Sequence, residues 1–340
     1  MLRQIIIICI CGMVGLPFLD FEPKNQSYEE LTIIDALNKL GDESLNSQTA
    51  DRSIRGVSEK AGESLVLNGY GIKPGGGKTR RISKHFECIA CHNIQREDPD
   101  LTIHDPTARL SYVTERGLPF LQGTTLFGLI NRTSFYNGDY EKKYGKLVDK
   151  ARNDIREAIQ LCATECSQGR KLKQWEVESI LAYMETIQIK LSDLSFNSDE
   201  RQLLDNAIEN GSSQKEAAQL IKSKYANFSP AHFIDPPPNR KEGNGLIGNP
   251  ENGEKIYETS CLHCHENQRY SFFRLDDSPL TYKHLSNNFE KYTRHSVYQV
   301  GRYGTSPLQM KKAYMPQYTE EKMSRQQMED LRAFVTSKSK

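Results

Sequence analysis

Eight cysteines and eight histidines occur in this 340-residue chain, and their spacing sorts them by the chemistry they can do. Two runs share the form Cys-x-x-Cys-His: Cys88-Ile89-Ala90-Cys91-His92 and Cys261-Leu262-His263-Cys264-His265. Two thiols at this spacing can add to the two vinyl groups of a porphyrin, and the histidine that follows can give its imidazole to the iron. Each run therefore reads as an attachment site for a c-type haem. A redox disulfide or half a zinc site are the other chemistries open to a CxxC. No strand–helix–strand pattern surrounds either run, and the motif stands at like places in two similar layouts. Two c-type haems with their irons are the expectation.

Of the remaining cysteines, Cys9 and Cys11 belong to an apolar N-terminal run, which leaves Cys162 and Cys166. A thiolate on ferric haem is a strong anionic donor that lowers the potential, and its sulfur can become a reaction partner. A Cys162–Cys166 disulfide is the alternative, since exported thiols tend to oxidise; a helical pair four apart lies near the upper end of the usable Cα range. His85, His104 or an open position are the further alternatives for the sixth site of the first iron.

The elements that must position these residues are helical. Gly62, Leu65 and Leu67 form a short apolar run before a Gly/Pro/basic loop at 74–78 that leads into the first CxxCH. That loop is no phosphate cradle, because Ile72 stands where the leading glycine is needed. A long insert, 94–145, is rich in Gly, Thr, Phe and Tyr and poor in periodicity. Leu147, Ala151, Ile155, Ala158, Ile159, Cys162 and Cys166 then fall on one helical face at steps of three and four. After Gly169 a helix is expected from Trp175 to Ile189. Two short polar helices follow over 199–225, broken at Gly211-Ser212-Ser213, and Pro236-Pro237-Pro238 marks a boundary. In the last stretch Gly253 and Tyr257 stand one helical turn apart. CxxCH, Tyr314-Met315-Pro316 and a helix with a Ser324/Gln327 capping box come after them.

A chain of this length exceeds the usual size of a single core, so two compact units are expected. The boundaries read as 1–19 signal peptide or anchor, 20–58 polar tether, 59–195 first haem unit with the long insert, 196–248 partly helical linker, and 249–340 second haem unit. The fold class is mainly α, and the same order of elements occurs twice. Forty-five Lys and Arg against 44 Asp and Glu leave a formal charge of +1, so no whole-molecule field points to nucleic acid. The apolar run Ile5–Leu19 behind a single positive charge has signal-peptide length and is short for a spanning helix. Export to the periplasm is expected, with retention as a membrane anchor the alternative. Cys11-Gly12 looks like a lipoprotein cysteine, but Ile10 occupies the position where a small residue is needed.

Residues 249–337 resemble the class I cytochrome c family. The likeness rests on Gly253, Tyr257, Cys261-Leu262-His263-Cys264-His265, Met315-Pro316, and Leu331, Ala333 and Phe334 in the last helix. In that family the glycine lets the first and last helices cross closely and a methionine supplies the sixth ligand. The resemblance thus implies His265 and Met315 on the second iron, with Met310 the rival. The stretch Cys162 to Leu172 is similar to the ligand loop of the thiosulfate dehydrogenase family, where a cysteine followed seven residues later by glycine binds the catalytic haem iron. That likeness implies His92 and Cys162 on the first iron and a catalytic role for Cys162. Ala158 departs from the pattern, standing where the family tends to have the arginine that holds an anionic substrate; Arg152, Arg156 and Arg170 are its stand-ins.

These readings together point to an exported di-haem cytochrome that passes electrons to a soluble or membrane electron-transfer protein. The alternative is a sulfur-compound oxidoreductase acting on thiosulfate or tetrathionate at the first haem. The insert before Cys162 suits a pocket wall for such an enzyme or a docking surface for a carrier.

Overall fold

A computed structural model describes residues 28–305 and 315–340. The N-terminal segment 1–19 with Cys9 and Cys11, and Met310 in the ligand loop, lie outside the described residues. Among those described, the chain is mainly helical, and extended pairing is limited to two isolated bridges, Thr32 with Lys190 and Ile72 with Lys78.

Two helix crossings organise the molecule. Helix α1 (Ile33–Lys39) precedes the first, which is made by α2 (Glu59–Asn68) and α5 (Gln174–Thr186); between them lie α3 (Pro106–Glu115) and α4 (Ile155–Leu161). Helices α6 (Ser198–Asn210) and α7 (Gln214–Ser223) lead to the second crossing, made by α8 (Pro250–Ile256) and α11 (Arg325–Lys338), with α9 (Pro279–Phe289) and α10 (Val297–Tyr303) between. The starts are set by local chemistry. Ser58 accepts from Ala61 N at α2, Asn249 caps α8 with Pro250 at its first position, and Ser324 and Gln327 bond reciprocally at α11.

Glycine sets how closely each pair approaches. A Cβ on Gly62 would lie 1.8 Å from Ser179 O and 2.9 Å from Tyr183 Cβ. A Cβ on Gly253 would lie 2.0 Å from Asp330 O and 2.7 Å from Phe334 Cβ. In both crossings a glycine faces a backbone oxygen, and an aromatic residue one turn further on packs beside it. The crossing is the same physical solution used twice.

The two cores take in more of the chain than its hydropathy suggests. Ile33 and Leu37, in the segment read as a tether, are fully buried in the first core with Leu65, Ile180 and Leu181. Leu204, Ala207, Ala217 and Ile221 of the segment read as a linker belong to the same core. The insert also departs from expectation: Leu110 and Val113 on α3, together with Phe120, pack with Ile256, Tyr257 and Phe334 in the second core. This part of the insert links the two cores. A further difference lies before Cys162, where the expected continuous helical face is broken. Leu147 is exposed, α4 starts only at Ile155 under an Asp154 cap, and the chain then widens into a π turn over Cys162–Cys166.

Candidate haem sites

The first CxxCH begins as a tight 3-10 turn over Cys88–Ala90, closed by His92 N donating to Cys88 O at 3.0 Å. Gly123 packs against its end, with Gly123 N donating to Cys91 O at 2.9 Å; a Cβ there would meet the His92 ring at 2.7 Å. His92 Nδ1 lies 2.6 Å from Thr124 O. A carbonyl only accepts, so Nδ1 carries the proton and Nε2 presents its lone pair. Burial pushes the His92 pKa down and keeps the ring neutral, as a metal ligand requires.

Facing that lone pair is Cys162, whose Sγ lies 4.0 Å from His92 Nε2. Imidazole nitrogen and thiolate sulfur bind a metal such as zinc at about 2.0 and about 2.3 Å, so donors at this separation are near enough to share one ion. His92 and Cys162 are the residues that would hold a haem iron here, through a nitrogen and a sulfur donor. Cys162 opens a π turn, a wider helical turn that is frequent at functional sites. His85 packs edge-on to Phe86 and Phe272. His104 lines a small cavity with Glu97, Asp98 and Arg132, where its Nε2 has no partner among the described residues and burial lowers its pKa to about 3.

Cys166 stands beside Cys162, and no disulfide joins the two. Its Sγ is 3.6 Å from Tyr144 Oη and 4.0 Å from Tyr136 Oη. Hydrogen bonding with Cys162 and with these two hydroxyls, aided by the Lys143 charge, lowers its thiol to about 7 against the opposing effect of burial. The three arginines offered as stand-ins for the missing anion-binding residue are engaged elsewhere. Arg152 pairs with Glu141, Arg156 with Glu178, and Arg170 with Glu176.

The second CxxCH follows another π turn, Tyr257–Cys261, and forms one helical turn, Leu262–His265. Tyr257, fully buried, donates from Oη to Asp276 O at 2.9 Å. His265 repeats the arrangement of His92, with Nδ1 2.7 Å from Phe273 O, so its Nε2 is also left as the donor. Met315 is half-buried against the second core, as are Cys261 and Leu262. Its backbone is locked by Thr305 N donating to Met315 O and Thr305 Oγ1 accepting from Met315 N, each at 2.9 Å. Gly304, with φ +69°, passes so close that a Cβ would lie 2.1 Å from Met315 O.

The two runs approach each other across the junction of the units. Burial and the neighbouring Cys264 thiol both push the Cys91 pKa up, and the His85 and Phe272 rings are 5.8 Å apart. The junction is closed by a buried charge cluster that no local sequence pattern announces. Glu97 Oε1 accepts from Lys322 Nζ at 2.6 Å, Glu97 Oε2 lies 3.5 Å from Arg109 Nη2, and Arg109 Nη1 donates to Lys322 O at 3.0 Å.

Comparison with known families finds one match, over the region of the second CxxCH. Residues 248–335 match the family model described as cytochrome C oxidase, cbb3-type, subunit III, a stretch that contains the second CxxCH and Met315. These residues carry a cytochrome c haem domain. Such a domain implies a c-type haem with its iron, and electron transfer through it, with electron-transfer proteins as partners. No curated protein matches the chain, and no solved structure matches it. The matched stretch contains the α8–α11 crossing and most of the second core, to which the insert adds Leu110, Val113 and Phe120. Among the described residues no helix is long and apolar enough to cross a membrane.

Proposed function

We propose that the chain is an exported, periplasmic di-haem cytochrome with two class I cytochrome c-like domains, moving electrons between its haems and a redox partner. Cys88 and Cys91 bind the first haem, with His92 and Cys162 on its iron; Cys261 and Cys264 bind the second, with His265 and Met315. One observation carries the reading. Each CxxCH histidine donates Nδ1–H to a backbone carbonyl, at 2.6 and 2.7 Å, and so presents Nε2 as a ligand in the same way. A thiolate-ligated first haem has a low potential and a thioether-ligated second haem a higher one. Electrons thus enter at the first, cross the junction and leave from the second. The N-terminal run serves export or, if retained, attachment to the membrane.

A second reading, a thiosulfate dehydrogenase-like oxidoreductase with Cys162 at the reacting centre, is favoured by the placement of Cys162 opposite His92. The engagement of Arg152, Arg156 and Arg170 with carboxylates counts against it. Redox titration of the holoprotein and of Cys162→Ala separates the outcomes. The proposal expects two transitions, of which only the lower moves in the variant, with loss of the ferric thiolate spectrum. An unchanged first haem in Cys162→Ala would overturn the ligand assignment. Reduction by thiosulfate at a rate that Cys162→Ala abolishes would favour the enzyme.

A further inference from the structure

The Thr124–Thr125 peptide lies between two groups that bear on the first iron. Its oxygen accepts from His92 Nδ1 at 2.6 Å, and its N–H donates to Glu97 Oε1 at 3.2 Å. We propose that Glu97 acts through this peptide as a positioning and tuning residue for His92, and that Lys322, from the second unit, sets how strongly it acts. The inference rests on the reading that His92 ligates the first haem.

The argument is one of polarisation in a dry site. Glu97 is 0% exposed and Lys322 3%, so the charges are not screened by water. A carboxylate at the N–H end of a peptide draws its dipole into line and makes the carbonyl oxygen at the other end a better acceptor. That oxygen then pulls harder on the Nδ1 proton, and the imidazole becomes a stronger donor at Nε2. The same Oε1 that takes Thr125 N also takes Lys322 Nζ at 2.6 Å, so the lysine competes for the charge that polarises the peptide. Asn93 Nδ2, from the residue next to His92, donates to Glu97 Oε2 at 3.0 Å and fixes the carboxylate in place.

The second site supplies the internal contrast. His265 donates to Phe273 O, but the other end of that peptide is the amide of Arg274. Among the described residues no carboxylate bonds to it. The first imidazole is backed by a buried charge and the second is not.

The test uses the full-length holoprotein carrying Cys162→Ala, so that the ferrous iron–histidine stretch of the first haem can be observed by resonance Raman, together with redox titration of both haems. Glu97→Gln should lower that stretching frequency and raise the potential of the first haem, leaving the second unchanged. Lys322→Gln should shift both quantities the opposite way, and it keeps the inference testable if Glu97→Gln does not fold. Glu97→Asp, which keeps the charge but shortens the reach to Thr125 N, should lower the frequency as Glu97→Gln does. Potentials that move for both haems with an unmoved stretching frequency would mean that Glu97 is only a nearby charge, and would overturn the proposal. A first haem with no iron–histidine stretch in any variant would instead refute the ligation by His92 on which it rests.

Discussion

The two CxxCH sites are built alike and finished differently. Each histidine follows a helical or 3-10 turn and gives Nδ1–H to a carbonyl, and each unit closes on a glycine-seated helix crossing. The first site then turns inward. His92 faces Cys162, both half-buried, and the insert after it reaches across to the second core. The second site stays nearer the surface, with Phe272 and Phe273 about half exposed beside it. The difference teaches how one plan can be finished in two ways: the crossing and the histidine bonded through Nδ1 are shared, while the surroundings of the histidine differ.

The largest expected effect breaks the likeness at its root. Replacing Cys88 and Cys91 by Ala should remove one of two haems while the other remains, and Cys261 and Cys264 to Ala should do the reverse, as read by pyridine haemochrome absorbance. Next comes the junction. Lys322→Met removes the closer of the two ion pairs that Glu97 makes among the described residues of a dry site, leaving that with Arg109, and should cost about 3–5 kcal/mol in denaturant unfolding.

The crossings themselves should respond in parallel. Gly62→Ala and Gly253→Ala each force a Cβ onto a backbone oxygen and should cost about 1–3 kcal/mol. Gly75→Ala, where a Cβ would meet none of the described residues within 4 Å, should be silent. Unequal losses at the two crossings would show that the duplication is one of outline only.

Acid should act on the junction with a definite sign. Burial alone would raise the Glu97 pKa, but the Arg109 and Lys322 charges outweigh it and hold the carboxyl at about 2, below its ordinary 4.5. A group with a depressed folded pKa contributes stability that is complete above about 4.5 and is lost as pH falls toward about 2. Denaturant titrations across that window should show a slope that Glu97→Gln reduces. The smallest effect is expected of Cys166→Ser, which should leave the spectrum of the first haem unchanged, because Cys162 is the sulfur that faces His92.

Much of this was legible in local spacing. The CxxCH runs, the Gly253 and Tyr257 pair, the Ser324/Gln327 cap and the break at Gly211 between α6 and α7 are short-range signals, and they stand in the structure where the sequence puts them. Helix α3 carried a signal too: Asp105 caps it and Pro106 takes its first position, a pairing that the irregular composition of the insert obscured. The burial of α1 was masked because its few apolar residues sit in a polar stretch, and only the packed first core shows where Ile33 and Leu37 go. The Glu97–Lys322 contact spans 225 residues of chain, and no periodicity reports a partner so distant. The placement of Cys162 opposite His92 likewise depends on the π turn, which breaks the helical period.

The central claim is that both CxxCH runs carry haem, and the intact mass of the denatured holoprotein tests it most directly. The account predicts the mass of the polypeptide plus two haems, falling by one haem in each double-alanine variant. A mass carrying one haem or none would contradict it.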